Sequence, residues 1–122
     1  MIALLKSLFG AGGERIGPQD AVLRLNRGAV LVDVREPGEF AAGHAPGAIH
    51  LPLGAIRARA AGAVDALALP DTVQEVLLIC RSGMRSRMAQ DMLSKDARRR
   101  YLNVQGGMGA WVANGLPVAK GE

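Results

Sequence analysis

Hydrophobic and polar positions change rhythm several times along the chain, and each change marks an element. Ala29-Val30-Leu31-Val32-Asp33-Val34 is an almost unbroken apolar, β-branched run. Such a run suits a strand covered on both faces, as in parallel sheets. Residues 73–79 repeat the pattern, and 101–104 form a last strand. Residues 48–51 read as a shorter strand that stops at Pro52, which has no N–H to give a ladder. Ile16 fits a short edge strand.

Between these runs the period lengthens to that of helices. Gly17-Pro18-Gln19-Asp20 starts one that runs to Asn26, with Ala21, Val22 and Leu25 on one face and Gly28 as its left-handed stop. Residues 53–69 read as a single helix with Ile56, Ala60, Val64 and Leu67 on its apolar stripe, ended by Pro70. Residues 84–94 form another with Met88, Met92 and Leu93 inward, and 108–114 a final one closed by Gly115 and Pro117. Strands alternating with helices predict an α/β fold: three layers, α/β/α, around a mostly parallel sheet of about five strands.

Composition sharpens this picture. The chain has 122 residues, enough for one domain, and Leu, Ile, Val and Phe supply 32 of them, so a core can form. Only four aromatics, Phe9, Phe40, Tyr101 and Trp111, are available, so that core is aliphatic and alanine-rich. Trp111 is expected in it. The net charge of +4 favours anions in general. Nucleic acid is not expected, because the densest basic run, Arg98-Arg99-Arg100, has only Tyr101 beside it and reads as a solvated loop before a strand. Residues 1–13 read as an N-terminal segment and glycine-rich linker, and 14–120 as the domain. The segment 2–9 has an apolar stripe able to make a weak peripheral contact with a membrane or partner, but it is too short for a secretory core or a bilayer span. A cytoplasmic protein is expected.

The candidate chemistry lies at Cys80, the one cysteine, which rules out an intrachain disulfide and a multi-cysteine zinc cluster. It directly follows Val76-Leu77-Leu78-Ile79 and opens the loop Cys80-Arg81-Ser82-Gly83-Met84-Arg85-Ser86 before a helix. Ligands of open parallel sheets settle beyond the carboxyl ends of the strands. Loop N–H groups and a helix N-terminus converging over the sulfur, with Arg81 and Arg85 adding positive charge, would favour the nucleophilic thiolate and bind an anionic substrate. Met84 should project from the loop. Asp33 with Arg35, Glu36 and Glu39 is expected to form an ion-pair network holding the site loop, and His44 to position a turn by a hydrogen bond. His44 and His50 are too far apart in sequence for a simple local metal pair.

Asp33-Val34-Arg35-Glu36-Pro37-Gly38-Glu39-Phe40, Gly43-His44-Ala45-Pro46-Gly47-Ala48-Ile49, the Cys80 loop, and Gly106-Gly107-Met108-Gly109-Ala110-Trp111 with Gly115-Leu116-Pro117-Val118 together resemble the signatures of single-domain rhodaneses. His50 and Ala45 depart from the usual pattern. The resemblance implies a sulfurtransferase in which Cys80 takes the outer sulfur of thiosulfate or a similar small anionic donor, releases sulfite and carries a persulfide. A thiophilic acceptor, cyanide or a small-molecule or protein thiol, then removes it. Arg81, Ser82, Gly83, Met84, Arg85 and Ser86 would bind the donor, and no metal or organic cofactor is implied. Two alternatives stand beside this reading: a non-catalytic rhodanese-like binding or regulatory module, and a cysteine-dependent phosphatase or arsenate reductase. The latter enzymes place five residues between Cys and Arg, whereas four, Arg81 to Met84, intervene here.

Overall fold

The computed structural model describes residues 13–121. The apolar segment 2–9 and all but the last residue of the 1–13 linker lie outside that range. The elements are β1 (Arg15–Ile16), α1 (Pro18–Asn26), β2 (Val30–Asp33), α2 (Pro37–Ala42), β3 (Ile49–His50), α3 (Leu53–Arg59), α4 (Ala61–Asp65), β4 (Glu75–Ile79), α5 (Met84–Leu93), β5 (Arg100–Val104) and α6 (Gly107–Ala113). Five strands form one sheet in the order β1-β5-β4-β2-β3, and every pairing is parallel.

The period of two along each strand divides the core. Val76, Leu78 and Cys80 face one layer with Val32, Val34 and Tyr101, covered by Leu53 and Ile56 of α3, Val64 of α4 and Ala89 and Leu93 of α5. Leu77 and Ile79 face the other with Leu31, Leu102 and Val104, covered by Ala21 of α1 and Met108 and Trp111 of α6. Val76 through Ile79 have no exposed surface at all, which is why the central strand carries an uninterrupted apolar run. This is the three-layer α/β/α arrangement expected from the alternation of elements.

Two local expectations fail, and one element goes unforeseen. The 53–69 helix is two short helices, because Ala60 adopts φ 49° and ψ −129° between α3 and α4 and lies exposed, off the apolar stripe. Met88 is 42 % exposed; α5 turns Ala89 and Leu93 to the sheet instead, while Met92 packs at the edge of the core. The unforeseen α2 begins at Pro37, and Glu39 reaches back to accept a hydrogen bond from the Glu36 N–H at 3.1 Å, an N-terminal capping interaction. Trp111 is buried as expected and donates its indole N–H to the Pro117 carbonyl at 2.8 Å.

Candidate active site

β4 delivers Cys80 to the carboxyl edge of the sheet, and Gly83 at φ 106° turns the chain into α5. A left-handed turn of that kind is open to glycine at little cost. It brings the Gly83 amide to 3.0 Å from the Cys80 sulfur, while the Ser86 hydroxyl on the first turn of α5 stands 3.3 Å from it. The residue itself is only 1 % exposed. The sulfur therefore sits on the floor of the loop, with aliphatic side chains on the sheet side and hydrogen-bond donors on the loop side. Burial pushes the thiol up, yet hydrogen bonds from the Ser86 hydroxyl and from the Ser86, Gly83 and Ser82 amides outweigh it and hold the thiol below its usual value. Desolvation disfavours the anion, and donors aimed at it restore it.

The rest of the loop divides by role. Arg81, Ser82 and Met84 are exposed, Met84 to 76 %, so the side chains at the rim face solvent. Arg85 departs from expectation: its guanidinium forms a two-pronged ion pair with Glu39 at 2.5 and 2.9 Å, so its charge is matched rather than free. Arg85 in turn holds the Glu39 carboxyl down to about 2, against the opposing effect of burial. Among the described residues Arg81 has no carboxylate partner, which leaves it as the uncompensated cation of the loop.

Asp33 and Arg35 pair with each other, as the charge pattern suggested. The Arg35 Nε and Nη2 donate to the fully buried carboxylate at 2.8 to 3.1 Å, and Nη2 also donates to the Gly43 carbonyl at 2.6 Å. The expected network with Glu39 is thus two separate pairs, and the one built on Asp33 anchors the 43–44 turn rather than the Cys80 loop. Asp33 is in register with Ile79, whose side chain lies on the sheet face opposite Cys80. The His44 Nδ1–H donates to the Phe40 carbonyl and its ring stacks on Phe40 at 3.8 Å, which positions the turn. His50 stacks on the same ring at 4.6 Å, and its Nε2–H donates to the Arg35 carbonyl. The two histidines thus meet at one phenylalanine despite their sequence separation.

Sequence reasoning did not assign Asn103 or the start of α6 to the site. Asn103 on β5 donates from Nδ2 to the Gly83 carbonyl at 3.1 Å, and its Oδ1 lies 2.6 Å from the Ser86 hydroxyl. The Met108 and Gly109 amides donate to the Cys80 and Arg81 carbonyls at 2.7 and 3.1 Å, tying the loop backbone to the start of α6. This close approach requires Gly107, where a Cβ would lie 2.3 Å from the Cys80 carbonyl oxygen. The glycine-rich 106–109 segment was the available signal. Beside the loop, a cleft of about 460 Å³ is lined mainly by Arg35, Glu39, Arg81, Met108, Val112 and Val118. A cavity of about 410 Å³ lies at the other end of the sheet, among Arg24, Glu75 and Arg100, away from the sulfur. No helix among the described residues is long and apolar enough to cross a membrane.

Comparison with known proteins places the chain in a family. A sulfurtransferase of Allochromatium vinosum is 38 % identical over 93 residues, covering 76 % of this chain and 80 % of that protein. The thiosulfate sulfurtransferase GlpE of Pseudomonas putida is 35 % identical over 101 residues, covering 82 % and 86 %. Among solved structures, a rhodanese-related protein of Thermoplasma volcanium superposes with a TM-score of 0.70 at 26 % identity, over 87 % of this chain and 97 % of that one. The family model for the rhodanese-like domain matches residues 17–114, from the start of α1 to the end of α6, and the chain belongs to that family.

Proposed function

We propose that the protein is a sulfurtransferase that carries a sulfane sulfur on Cys80, with thiosulfate or a related small persulfide-bearing anion as donor. The observation that carries this reading is the convergence of the Gly83 amide and the Ser86 hydroxyl on the Cys80 sulfur, at 3.0 and 3.3 Å. Those donors stabilise the thiolate, and the thiolate is the nucleophile. It attacks the outer sulfur of thiosulfate; the new S–S bond to Cys80 forms as the old one breaks, and sulfite leaves with the bonding electron pair. A thiolate or cyanide acceptor then attacks the outer sulfur of the Cys80 persulfide, taking it and returning the Cys80 thiolate. No proton, oxidant or reductant is consumed in either half.

Arg81, the uncompensated cation at the rim, attracts the anionic donor, and the Ser82, Gly83 and Ser86 amides receive the negative charge on sulfur. Arg85 acts chiefly by fixing α5 to α2 through Glu39. The loop's four residues between Cys80 and Arg85 suit one added sulfur atom better than a full phosphate. The relatives named sulfurtransferase support transfer of sulfur; the donor, the acceptor and the persulfide are this reading's own.

Incubation with thiosulfate followed by the mass of the intact protein tests it. The wild type is expected to gain one sulfur atom that cyanide or a thiol removes, and Cys80→Ser to gain none. No gain on the wild type would instead favour a binding module.

A further inference from the structure

The Ser86 hydroxyl has one proton and two acceptors within reach: Asn103 Oδ1 at 2.6 Å and the Cys80 sulfur at 3.3 Å. The Asn103 carboxamide cannot turn round, because the Gly83 carbonyl at 3.1 Å can only accept and so must face Nδ2. Oδ1 is then committed to Ser86. All three polar groups are buried, Ser86 to 0 % and Asn103 to 3 % exposure, so no water competes for that proton at bulk concentration.

We propose that Asn103 is a positioning residue for Cys80, its carboxamide oxygen competing with the sulfur for the one proton of Ser86. When Cys80 is a thiol, the chain runs S–H to Ser86 oxygen and Ser86 O–H to Asn103, and every donor has an acceptor. When Cys80 is a thiolate, the hydroxyl turns to the sulfur and Oδ1 loses its partner. Asn103 therefore favours the protonated form and keeps the thiol less acidic than the loop's amides alone would make it. The charged groups around the sulfur do not supply this effect. On the α5 side Arg85 is matched by Glu39, on β2 Asp33 is matched by Arg35, and Arg81 is exposed at the rim; β5 brings only Asn103, and the start of α6 brings amides.

The inference rests on the reading of Cys80 as the reactive thiol, but its test does not require sulfur transfer. With one cysteine in the chain, the ultraviolet absorption of the thiolate follows Cys80 alone below the range of Tyr101. Midpoints are measured for the wild type, Asn103→Leu, Ser86→Ala and the double variant. Loss of the Gly83 anchor affects both backgrounds alike, whereas loss of the competition affects only the one with the hydroxyl. Asn103→Leu should therefore place the midpoint lower, relative to its parent, with Ser86 present than with Ser86→Ala, by about half a pH unit or more for one neutral hydrogen bond. Equal shifts overturn the proposal.

Should Asn103→Leu fail to fold, the nitrogen-labelled wild type decides. The Asn103 carboxamide resonances should move with the thiol midpoint and lose most of that movement in Ser86→Ala. Equal movement in both, or none in the wild type, also overturns it. A thiol that titrates in this way yet gains no sulfur from thiosulfate would end the transfer reading and leave Asn103 its role.

Discussion

At Gly107 a single methyl group would decide whether the site exists. A Cβ there would lie 2.3 Å from the Cys80 carbonyl oxygen and 2.7 Å from the Arg81 carbonyl carbon, both backbone atoms, at φ 55°. Neither atom can move without opening the Met108 and Gly109 hydrogen bonds that orient the loop. Gly115 also has a positive φ, 74°, but a Cβ would find nothing within 4 Å. Gly115→Ala should cost about 1–2 kcal/mol of left-handed strain and keep sulfur uptake. Gly107→Ala should cost at least about 3 kcal/mol, adding a backbone clash to the same strain, and lose uptake wherever it still folds. Urea denaturation and intact mass after thiosulfate read the two quantities; equal costs would mean that the α6 clamp is not what fixes the loop. The glycines of this segment are visible in the sequence, but the carbonyls they approach lie more than twenty residues away, so their purpose is not.

The elements were legible where one local signal decides them. The apolar run of β4 and the Pro18 start and Gly28 stop of α1 appear as read, since burial on both faces and backbone stereochemistry each leave a mark on adjacent residues. The break at Ala60 left none, because alanine is a strong helix former and the stripe Ile56, Ala60, Val64 continues through it. The chain nonetheless turns at Ala60, which lies exposed between Ile56 of α3 and Ala63 and Val64 of α4, all three buried in one layer. The cost is a non-glycine residue at φ 49° and ψ −129°, a region largely reserved for glycine. Ala60→Gly should therefore stabilise the protein by about 1 kcal/mol, the strain relieved exceeding the entropy that glycine adds to the unfolded chain. A rise in the urea midpoint at unchanged slope would be the sign; a fall would mean that the residue is relaxed where it stands.

Across the whole molecule, the site is closed by contacts that sequence proximity could not reveal. Asn103 and Ser86 are 17 positions apart, and Glu39 and Arg85 are 46. The Glu39–Arg85 pair ties α2, which follows β2, to α5, which follows β4, so it joins two adjacent strands of the sheet at the edge where Cys80 emerges. Its contribution has a definite pH signature. Hydrogen bonding by Arg85 lowers the Glu39 carboxyl from the usual 4.5 to about 2, against the opposing effect of burial. On acidification the unfolded chain thus takes up this proton before the folded one does, and folding loses free energy. The pair's stabilisation is complete above about pH 4.5 and drains away as pH falls toward 2. Both side chains keep roughly three-tenths of their surface exposed, so solvent screens part of the interaction and salt should weaken it. Glu39→Gln should be less stable than the wild type at neutral pH, and the gap should narrow steadily from pH 4.5 downward. Denaturant midpoints across that range, at low and high salt, measure the gap directly. Parallel curves would show that the carboxylate charge contributes nothing to the fold and that α2 and α5 are held together by packing alone.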